Sequence, residues 1–321
     1  MTDEVIHMND IAVFLPEAEV DNGHFCRLTG RDADWFVART GIHTRRRAGP
    51  QENASSMGIE SVHRLVEKRP DALDGVDLII GASYTPDDTL STLPFRVQRA
   101  FGIAAARTYF VSTACSSFIS VLEIARLMLR AGEARKALLV TAEHNSRYSD
   151  DADQFSGHLW GDGAAAVIVS RDPAGALFSV DYARSSGVAC EGKGPDAINL
   201  DPALGRRGLV MREGRDVFTR ACEHLAAEVL RATDRLGVPV QDVDWLVPHQ
   251  ANLRILTNVA GKLGLPMERC VVTVDRLGNT GCASIPISLE YGLPQMRAGH
   301  LVALTAFGGG YSSGAAILRR C

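Results

Sequence analysis

The chain has 321 residues, 46% hydrophobic and 22% charged, which is ordinary for a globular protein with a large core and suggests two structural units. The formal net charge of -4 gives no sign of a nucleic-acid or membrane partner, and no segment has the run of about 18 apolar residues that spans a bilayer. The N-terminus lacks the features of a secretion signal, and the seven cysteines form no C-x-x-C pair. We therefore expect a cytoplasmic protein without a disulfide framework or a metal site.

Four short apolar runs in the first half of the chain predict buried β-strands. They are DLIIGAS (Asp77–Ser83), TYFVST (Thr108–Thr113), KALLVTAE (Lys136–Glu143) and AAAVIVS (Ala164–Ser170). A helical pattern from Ser116 to Ala131 lies between the second and third runs. Continuous apolar strands separated by helices are typical of α/β sheets covered on both faces.

The second half of the chain repeats this alternation. Its clearest helix is DVFTRACEHLAAEVLRATDRLG, in which apolar residues recur at steps of three or four and Gly237 ends the helix. The predicted strands are Trp245–Gln250, Cys270–Val274, Leu301–Phe307 and Ala315–Arg320, and the predicted helices between them are Leu253–Leu263 and Ala283–Met296. The pattern predicts two copies of one α/β unit, covering residues 1–171 and 172–321.

The segment STACSSF (Ser112–Phe118) places Cys115 where a predicted strand turns into a predicted helix. Free cysteine is among the most buried residue types, so a core position is the ordinary interpretation of a single cysteine. A helix N-terminus, however, has unpaired N–H groups and a positive dipole end, which favour the nucleophilic thiolate. A sharp strand-to-helix turn also lifts its side chain out of the sheet. We therefore predict that Cys115 is an acidic nucleophile suited to thioester exchange.

Two further polar residues follow predicted strands. VPHQAN (Val247–Asn252) places His249 at a strand end, and LGNTGCAS (Leu277–Ser284) places Asn279 in a glycine-bounded turn. Strand ends that face one direction assemble the site of an open α/β sheet, so the three junctions suggest one shared pocket. Taken alone, His249 is as well explained as a satisfied core histidine, and Asn279 is more often a turn residue.

These segments resemble the β-ketoacyl-acyl carrier protein synthase III family of the thiolase superfamily, over nearly the whole chain. WLVPHQANLRI and VTVDRLGNTGCASIP match its His and Asn motifs, and LTAFGGGYSSGAAILRR matches its C-terminal strand pair. DWFVARTGIHTRRR resembles its tunnel-mouth segment, and HLWGDGAAA resembles its Phe-Gly-Asp-Gly-Ala motif with Trp160 replacing phenylalanine. STACSSF departs from the A-A-A-C-A-G-F of many members. The resemblance implies a thiolase-like fold, with two duplicated α/β halves in a layered αβαβα architecture.

The resemblance also implies a reaction. Cys115 would take an acyl group from a coenzyme A thioester, with its own N–H and that of Gly309 as the oxyanion hole. His249 and Asn279 would then donate hydrogen bonds to malonyl-carrier protein as carbon dioxide leaves. The resulting carbanion would attack the acyl-cysteine and give a β-ketoacyl thioester, for fatty acid or specialised biosynthesis. Acyl-coenzyme A and malonyl-carrier protein are substrates, and no metal or cofactor takes part.

Further residues are assigned by the same resemblance. Those implied to bind coenzyme A are Trp35, Arg39 and Asn252, and the residue implied to dock the acidic carrier protein is Arg254. Those implied to line the acyl pocket are Leu90, Trp160 and Phe307, with Leu90 at the place of a gate residue from the partner subunit of a homodimer. The run of cations from Arg39 to Arg47 is either a solvated face or an attraction for the coenzyme A phosphates.

Several alternatives stay open. An acyltransferase of the same fold would pass the acyl group to an alcohol or amine, although such relatives often alter the His or Asn position. A degradative thiolase would need a second cysteine, for which Cys282 is the nearest candidate, and a hydroxymethylglutaryl-type synthase would need an acidic base such as Asp87 or Asp88. A non-enzyme alternative is the inactive partner subunit of a synthase heterodimer, although the chain retains all three catalytic residue types.

Overall fold

The computed structural model describes residues 4–321, apart from the side chains at positions 202 and 206. The strands are β1 (His7–Phe14), β2 (Ala18–Asp21), β3 (Thr44–Arg47), β4 (Leu78–Ala82), β5 (Arg107–Val111), β6 (Lys136–Glu143), β7 (Gly163–Ser170), β8 (Phe178–Gly187), β9 (Ile198–Leu200), β10 (Leu209–Met211), β11 (Trp245–Pro248), β12 (Leu301–Gly308) and β13 (Ser312–Arg320). The helices are α1 (Asn22–Thr29), α2 (Ala33–Thr40), α3 (Ala54–Lys68), α4 (Leu93–Ala100), α5 (Ser117–Arg130), α6 (Gly214–Leu236), α7 (Leu253–Leu263), α8 (Val274–Leu277) and α9 (Ser284–Gly292).

One mixed sheet contains nine of these strands, in the order β11-β12-β13-β8-β1-β7-β6-β4-β5. From β1 outward, the pairs β1–β7 and β7–β6 are antiparallel, and the pairs β6–β4 and β4–β5 are parallel. From β8 outward, β8–β13 and β13–β12 are antiparallel and β12–β11 is parallel. The first four strands counted outward from the centre therefore follow the same pattern of directions in both halves, which confirms the predicted duplication, while β5 has no equivalent among the described strands of the second half. The halves join through a short pairing of β1 with β8, and the boundary at 171/172 stays a prediction.

Helices cover both halves of the sheet and also lie between them. α3 and α4 pack on the first half, and α6 and α7 cover the second half. α5 contacts β4 and β6 of the first half and β8 and β13 of the second, and α9 likewise touches strands of both. α5 is apolar on several sides, with Phe118, Val121 and Leu122 fully buried, because it is covered by both halves. This arrangement is the αβαβα layering that the sequence predicted.

The predicted strand Cys270–Val274 is wrong. Only Cys270 makes a parallel bridge, to Leu246 of β11, and Val274 begins the short helix α8. The side chain of Gln250 takes the backbone hydrogen bonds of this segment: its Nε2 donates to the Val271 carbonyl, and its Oε1 accepts from the Thr273 N–H. Beyond the Cys270–Leu246 bridge, the Gln250 side chain therefore makes the hydrogen bonds that a neighbouring strand would make.

The central strands β1 and β8 are absent from the predicted set of apolar runs. β1 carries Asn9 and Asp10 in its middle. Asp10 is buried and makes ion pairs with Lys68, the last residue of α3, and with Arg69, which follows it. β8 has buried residues only at Phe178, Val180 and Ala183, separated by partly exposed ones, instead of a continuous apolar run. Within residues 4–321, no helix is long and apolar enough to cross a membrane.

Candidate active site

Cys115 lies in a sharp elbow between β5 and α5. Ala114, immediately before it, has a φ of 52°, a left-handed conformation that is strained for an alanine. Gly308, at the end of β12, comes so close that a Cβ atom there would lie 2.7 Å from the Cys115 backbone nitrogen. The strand-to-helix turn predicted from the sequence is confirmed, and a strand of the other half packs directly against it.

The predicted acidity of the Cys115 thiol is wrong. Burial, together with the nearby Glu143 carboxylate, raises the pKa of the thiol to about 12. Hydrogen bonds from the Tyr84 hydroxyl and from the Cys115 backbone N–H oppose this shift in pKa without reversing it. Helix α5 begins only at Ser117, so the thiol lies outside the N-terminus of the helix. Desolvation of the thiolate therefore outweighs the effect of the helix dipole on the pKa. At neutral pH the resting residue is a protonated thiol.

His249 follows β11 and is held from two sides. Its backbone N–H donates to the Thr305 carbonyl at 2.8 Å, and its Nδ1 lies 2.7 Å from Oγ of Ser284, the first residue of α9. Nε2 is therefore the ring nitrogen that can serve a substrate in the cavity. Burial lowers the pKa of the ring to about 4, although a hydrogen bond with the Gly281 backbone opposes the shift. The imidazole is neutral at physiological pH, so it can offer hydrogen bonds but no positive charge.

Asn279 is fixed by its own turn. Its side-chain Oδ1 accepts the Gly281 N–H at 3.0 Å, so the amide Nδ2 remains as a donor. Its backbone N–H donates to the Leu159 carbonyl at 2.8 Å, and its carbonyl accepts the Gly161 N–H at 3.0 Å. The Asn279 loop is thus tied to the segment around Trp160, which places a defined N–H donor at the site.

Cys115, His249 and Asn279 line one cavity of about 40 Å³. Gly309 lines it beside Cys115, and the remaining wall is largely apolar, including Trp160, Ile198, Met211, Leu225, Ile255 and Phe307. The structure therefore brings Trp160 and Phe307 of the predicted acyl pocket to the nucleophile. It does not bring Leu90 there within one protomer, because Leu90 is 86% exposed at the surface.

A larger groove of about 1040 Å³ lies outside this cavity, and Met211 lines both. Arg39, Asn252 and Arg254, all predicted from the sequence, line the groove. Three further arginines, Arg207, Arg212 and Arg215, add positive charge to its wall. The acidic residues Asp150, Asp153 and Glu213 also line it, so the charge is unevenly distributed rather than uniformly basic. The groove offers room and guanidinium groups for a phosphorylated carrier next to the nucleophile.

Comparisons with known proteins agree with this geometry. A model of 3-oxoacyl-[acyl-carrier-protein (ACP)] synthase III matches residues 110–185, and a model of the C-terminal part of that family matches residues 233–320. The chain is 36% identical over 319 residues to a β-ketoacyl-[acyl-carrier-protein] synthase III 2 of Deinococcus radiodurans, covering 96% of this chain and 93% of the relative. The chain belongs to the β-ketoacyl-[acyl-carrier-protein] synthase III family.

Solved structures confirm the fold of this synthase. The β-ketoacyl-[acyl carrier protein] synthase III of Thermus thermophilus matches with a TM-score of 0.91 and 33% identity, covering 98% of this chain and 99% of that one. A priming β-ketosynthase from the R1128 polyketide biosynthetic pathway matches with a TM-score of 0.86 and 29% identity, covering 98% and 96%. The thiolase-like fold and the assignment as an acyltransferase of the condensing type are thereby confirmed.

Two residues predicted to bind coenzyme A are already occupied by protein contacts. The Trp35 ring is covered by the guanidinium groups of Arg39 at 4.5 Å and Arg31 at 5.0 Å from its centroid. Asn252 caps α7, since its side chain accepts the Arg254 N–H at 2.8 Å and donates to the Arg39 carbonyl at 3.2 Å. An adenine that stacked on the face covered by Arg39 would displace that guanidinium, while Asn252 mainly shapes the groove wall.

The cationic run from Arg39 to Arg47 is neither a solvated face nor a phosphate site as a whole. Arg45 is fully buried, stacks on Phe25 and donates to Asn22 and to the His158 carbonyl. Arg47 pairs with Asp151 at 2.8 Å. Of the cations in this run, only Arg39 lines the groove. The contacts of Arg45 and Arg47 instead hold the tunnel-mouth segment in place.

Sequence reasoning missed several residues around the nucleophile. Tyr84, Glu143 and Asn145 follow the buried strands β4 and β6, and Ser284 starts the helix behind His249. The strand-end rule that singled out His249 also applies to GASYT and TAEHN, so these polar residues had a sequence signal. Cys282, considered as a second thiolase cysteine, is fully buried and does not line the cavity. Asp87 and Asp88 likewise do not line it.

Proposed function

We propose that this synthase joins an acyl group carried on Cys115 to malonyl-carrier protein in a decarboxylative Claisen condensation. The observation that carries the proposal is the single buried cavity lined by Cys115, His249 and Asn279, which come from both halves of the chain. The acyl donor is an acyl-coenzyme A, and the product is a β-ketoacyl thioester that begins a fatty acid or polyketide chain. Thioester exchange and loss of carbon dioxide drive the reaction without a metal or cofactor.

The first half-reaction loads the nucleophile. The Cys115 sulfur attacks the donor thioester, the bond from the carbonyl carbon to the coenzyme A sulfur breaks, and the thiol proton leaves with coenzyme A as its free thiol. Negative charge develops on the carbonyl oxygen in the tetrahedral intermediate. In this proposal the N–H groups of Cys115 and Gly309, two residues that line the cavity, receive this charge, and one such donor is typically worth about 10²–10³ in rate.

The second half-reaction uses the two hydrogen-bond donors. Asn279 Nδ2 and His249 Nε2 bind the malonyl thioester carbonyl, and Nε2 carries the required proton when the Ser284 hydroxyl donates to Nδ1. As carbon dioxide leaves, its bonding electrons delocalise onto that carbonyl oxygen, where the two donors stabilise them. The carbanion then attacks the acyl-cysteine carbonyl, and the cysteine sulfur leaves and takes up a proton.

The outer groove suits the carriers of both substrates. Arg39 and its arginine neighbours on the wall match the phosphates of coenzyme A, which are dianionic or polyanionic at neutral pH. Arg254, at the start of α7, faces the same groove and provides a positive charge for an acidic carrier protein. Trp35 and Asn252 shape the entrance in this proposal.

We also propose a cytoplasmic homodimer. β5 is an edge strand whose Tyr109 is 43% exposed, and the neighbouring α4 exposes half of Phe95. Leu90 precedes α4 and is exposed in one protomer, as a gate residue for the partner's acyl pocket would be. Light scattering after size exclusion tests the assembly, and a monomer under assay conditions contradicts it. The seven cysteines are unpaired, in keeping with a reducing compartment.

Mass spectrometry of the acyl-enzyme tests the reaction. The parent protein, incubated with a panel of acyl-coenzyme A donors, should gain one acyl mass on the peptide that contains Cys115. Cys115→Ala should gain none, while Asn279→Ala should still be acylated but should release carbon dioxide from malonyl-carrier protein about 10²–10³ times more slowly. Cys222→Ala, which removes a buried thiol outside the cavity, is the matched control and should behave like the parent.

The outcomes separate the remaining candidates. If Asn279→Ala forms product at the parental rate, decarboxylation is not the task of that residue, and acyl transfer to an alcohol or amine becomes the better hypothesis. If no donor acylates the parent, the chain is an inactive partner subunit. Acylation of several cysteines to equal extents would contradict the assignment of Cys115.

A further inference from the structure

The side chains of Tyr84 and Asn145 form a hydrogen-bonded pair that has no part in the condensation as described. Tyr84 follows the end of β4 and Asn145 follows the end of β6, so the pair joins two neighbouring strands of the first half. The Tyr84 hydroxyl donates to Asn145 Oδ1 at 2.7 Å, and Asn145 is fully buried. Neither side chain lines the catalytic cavity, but the remaining bonds of Asn145 lead to a residue that does.

The amide of Asn145 is bonded to the segment that carries Asn279. Its Nδ2 donates to the Asn279 carbonyl at 3.2 Å and to the Gly161 carbonyl at 2.8 Å. A flipped amide would lose both of these bonds and the one from Tyr84, so the orientation of the amide is determined by its partners. Hydrogen bonds therefore run without interruption from Tyr84 through Asn145 to the backbone of Asn279.

Asn145 spans the β-bridge between Trp160 and Asn279. Across this bridge the Gly161 N–H donates to the Asn279 carbonyl at 3.0 Å. A Cβ atom at position 161 would lie 2.0 Å from the Leu277 carbonyl oxygen, so the two segments are in close contact. Because Asn145 bonds to one carbonyl on each side, it fastens the two segments to each other and to the end of β6.

The turn that follows Asn279 also lies against Tyr84. A Cβ atom at position 281 would lie 2.6 Å from the Tyr84 hydroxyl oxygen, and Gly281 has a φ of 57°, which glycine adopts without strain. The Gly281 N–H donates to Asn279 Oδ1 at 3.0 Å, so this turn orients the side-chain amide of Asn279. Both the backbone and the side chain of Asn279 are therefore held next to the Tyr84–Asn145 pair.

The Glu143 carboxylate fixes the backbone that carries Tyr84. It accepts the backbone N–H of Tyr84 at 3.3 Å and that of Thr85 at 3.1 Å. Glu143 is the last residue of β6, shortly before Asn145 in the chain. The pair is thus anchored to the sheet of the first half, while Asn279 belongs to the second half.

We propose that Asn145, oriented by Tyr84, is a positioning residue for the Asn279 amide during decarboxylation. The inference rests on the role proposed above for Asn279. The Nδ2 of that residue has to point at the malonyl thioester carbonyl as carbon dioxide leaves, and hydrogen bonds are directional, so a small displacement weakens the donor. Acylation of Cys115 does not use this donor. Asn145 therefore acts on the second half-reaction and not on the first.

Asn145→Leu tests the inference, because it keeps the approximate volume of the side chain and removes its hydrogen bonds. At saturating malonyl-carrier protein, we expect carbon dioxide release to slow by about three- to tenfold, while the rate at which acyl-coenzyme A acylates Cys115 stays at the parental value. A loss confined to the second half-reaction is the result that a general loss of folding would not give.

Asn9→Leu is the matched control, because Asn9 makes the same kinds of bond elsewhere. Asn9 is also buried, its Oδ1 accepts the Ser170 hydroxyl at 2.9 Å, and its Nδ2 donates to the Asp172 carbonyl at 2.8 Å. It does not line the cavity. This variant should lose stability but keep both rates, and an equal loss of carbon dioxide release in Asn9→Leu would overturn the inference.

Tyr84→Phe separates positioning from stability. Asn145→Leu leaves the Tyr84 hydroxyl without its acceptor, and the double variant removes that orphaned group. The double variant should therefore melt at a higher temperature than Asn145→Leu, while it releases carbon dioxide no faster. If the double variant recovers both the melting temperature and the rate, the pair only stabilises the fold, and the positioning role is overturned.

A background that lacks the Asn279 amide shows whether the effect passes through that group. Added to Asn279→Ala, Asn145→Leu should slow carbon dioxide release little further, because the donor that Asn145 positions is already absent. Fully additive losses would overturn the inference. Hydrogen exchange of the Gly161 and Gly281 N–H groups, which needs no substrate, should be about three- to tenfold faster in Asn145→Leu than in the parent.

Failure of this inference is distinguishable from failure of the proposed function. If Asn145→Leu releases carbon dioxide like the parent while Asn279→Ala does not, the positioning role is overturned and the condensation stands. If Asn279→Ala also releases carbon dioxide at the parental rate, the proposed function fails. Hydrogen exchange then still decides whether Asn145 holds the Asn279 segment, and unchanged exchange overturns that role.

Discussion

At the scale of single residues, the proposed catalysis uses neutral hydrogen-bonding groups rather than a charged pair. Burial raises the pKa of Cys115 and lowers the pKa of His249, so both are uncharged at neutral pH. In a cysteine–histidine ion pair the ring would be protonated. It would then be less able to adjust its hydrogen bonding to the negative charge that develops on the malonyl thioester. Neutral donors held by Ser284 and Gly281 suit a step in which negative charge appears only in the transition state.

Single residues also define the proposed acyl pocket. Trp160 is 1% exposed, lines the small cavity with Phe307 and has no partner for its indole N–H among the described residues. Trp160→Phe should therefore enlarge the cavity and shift preference toward longer acyl donors, by about fourfold in kcat/KM for each additional methylene accommodated.

Ratios of kcat/KM across straight-chain acyl-coenzyme A donors measure this shift. Trp245→Phe is the control, because Trp245 donates to His300 Nδ1 and does not line the cavity. An unchanged ratio in Trp160→Phe, with normal Cys115 reactivity, would mean that the indole serves only the core and that chain length is determined elsewhere.

At the scale of elements, the nucleophile depends on contact between strands of opposite halves. The Cys115 elbow follows β5 of the first half, and the end of β12 from the second half closes against it at Gly308. The left-handed backbone conformation of Ala114 is strained, and this strain accompanies the placement of the thiol at the junction. The proposed oxyanion hole therefore takes one N–H donor from each half, Cys115 from the first and Gly309 from the second.

Gly308→Ala tests this contact. A Cβ atom at position 308 would lie 2.7 Å from the Cys115 nitrogen and 2.9 Å from the Thr113 carbonyl oxygen, so the elbow must shift. We expect acyl transfer to fall by at least about tenfold, since a small misplacement of reacting groups is costly. Gly187→Ala, where a Cβ meets nothing within 4 Å, should keep the parental rate. Equal rates in both variants would show that the elbow tolerates displacement.

At the scale of the whole molecule, α5 and α9 make the two halves one structure. Both helices contact strands of both halves, and the buried residues between the halves form one continuous core. Cys115 lies two residues before α5, while Ser284, the partner of His249, begins α9. The two central helices therefore carry the residues that position the nucleophile and the imidazole, and the site lies where the duplicated units meet.

Phe118→Ala should destabilise the entire protein. Phe118 is fully buried on α5, and its truncation should lower the free energy of unfolding by about 3–5 kcal/mol in a single transition. Leu127→Ala on the same helix, where the side chain is 55% exposed, should cost less than about 1 kcal/mol. Denaturant unfolding followed by circular dichroism measures both. Two separate transitions, of which only one shifts in Phe118→Ala, would contradict a shared core.

The sequence by itself determined the α/β fold and its duplication through local apolar patterning, and it indicated the layered architecture and the residues Cys115, His249 and Asn279 through motifs that resemble those of the synthase III family. It did not determine the ionisation of the thiol, since a pKa depends on burial and on charges distant along the chain, such as Glu143. Only the tertiary structure replaced the predicted strand at Cys270–Val274 with hydrogen bonds from Gln250. It alone also brought Gly308 against the Cys115 elbow, because that contact joins the end of β12 to a turn of the opposite half.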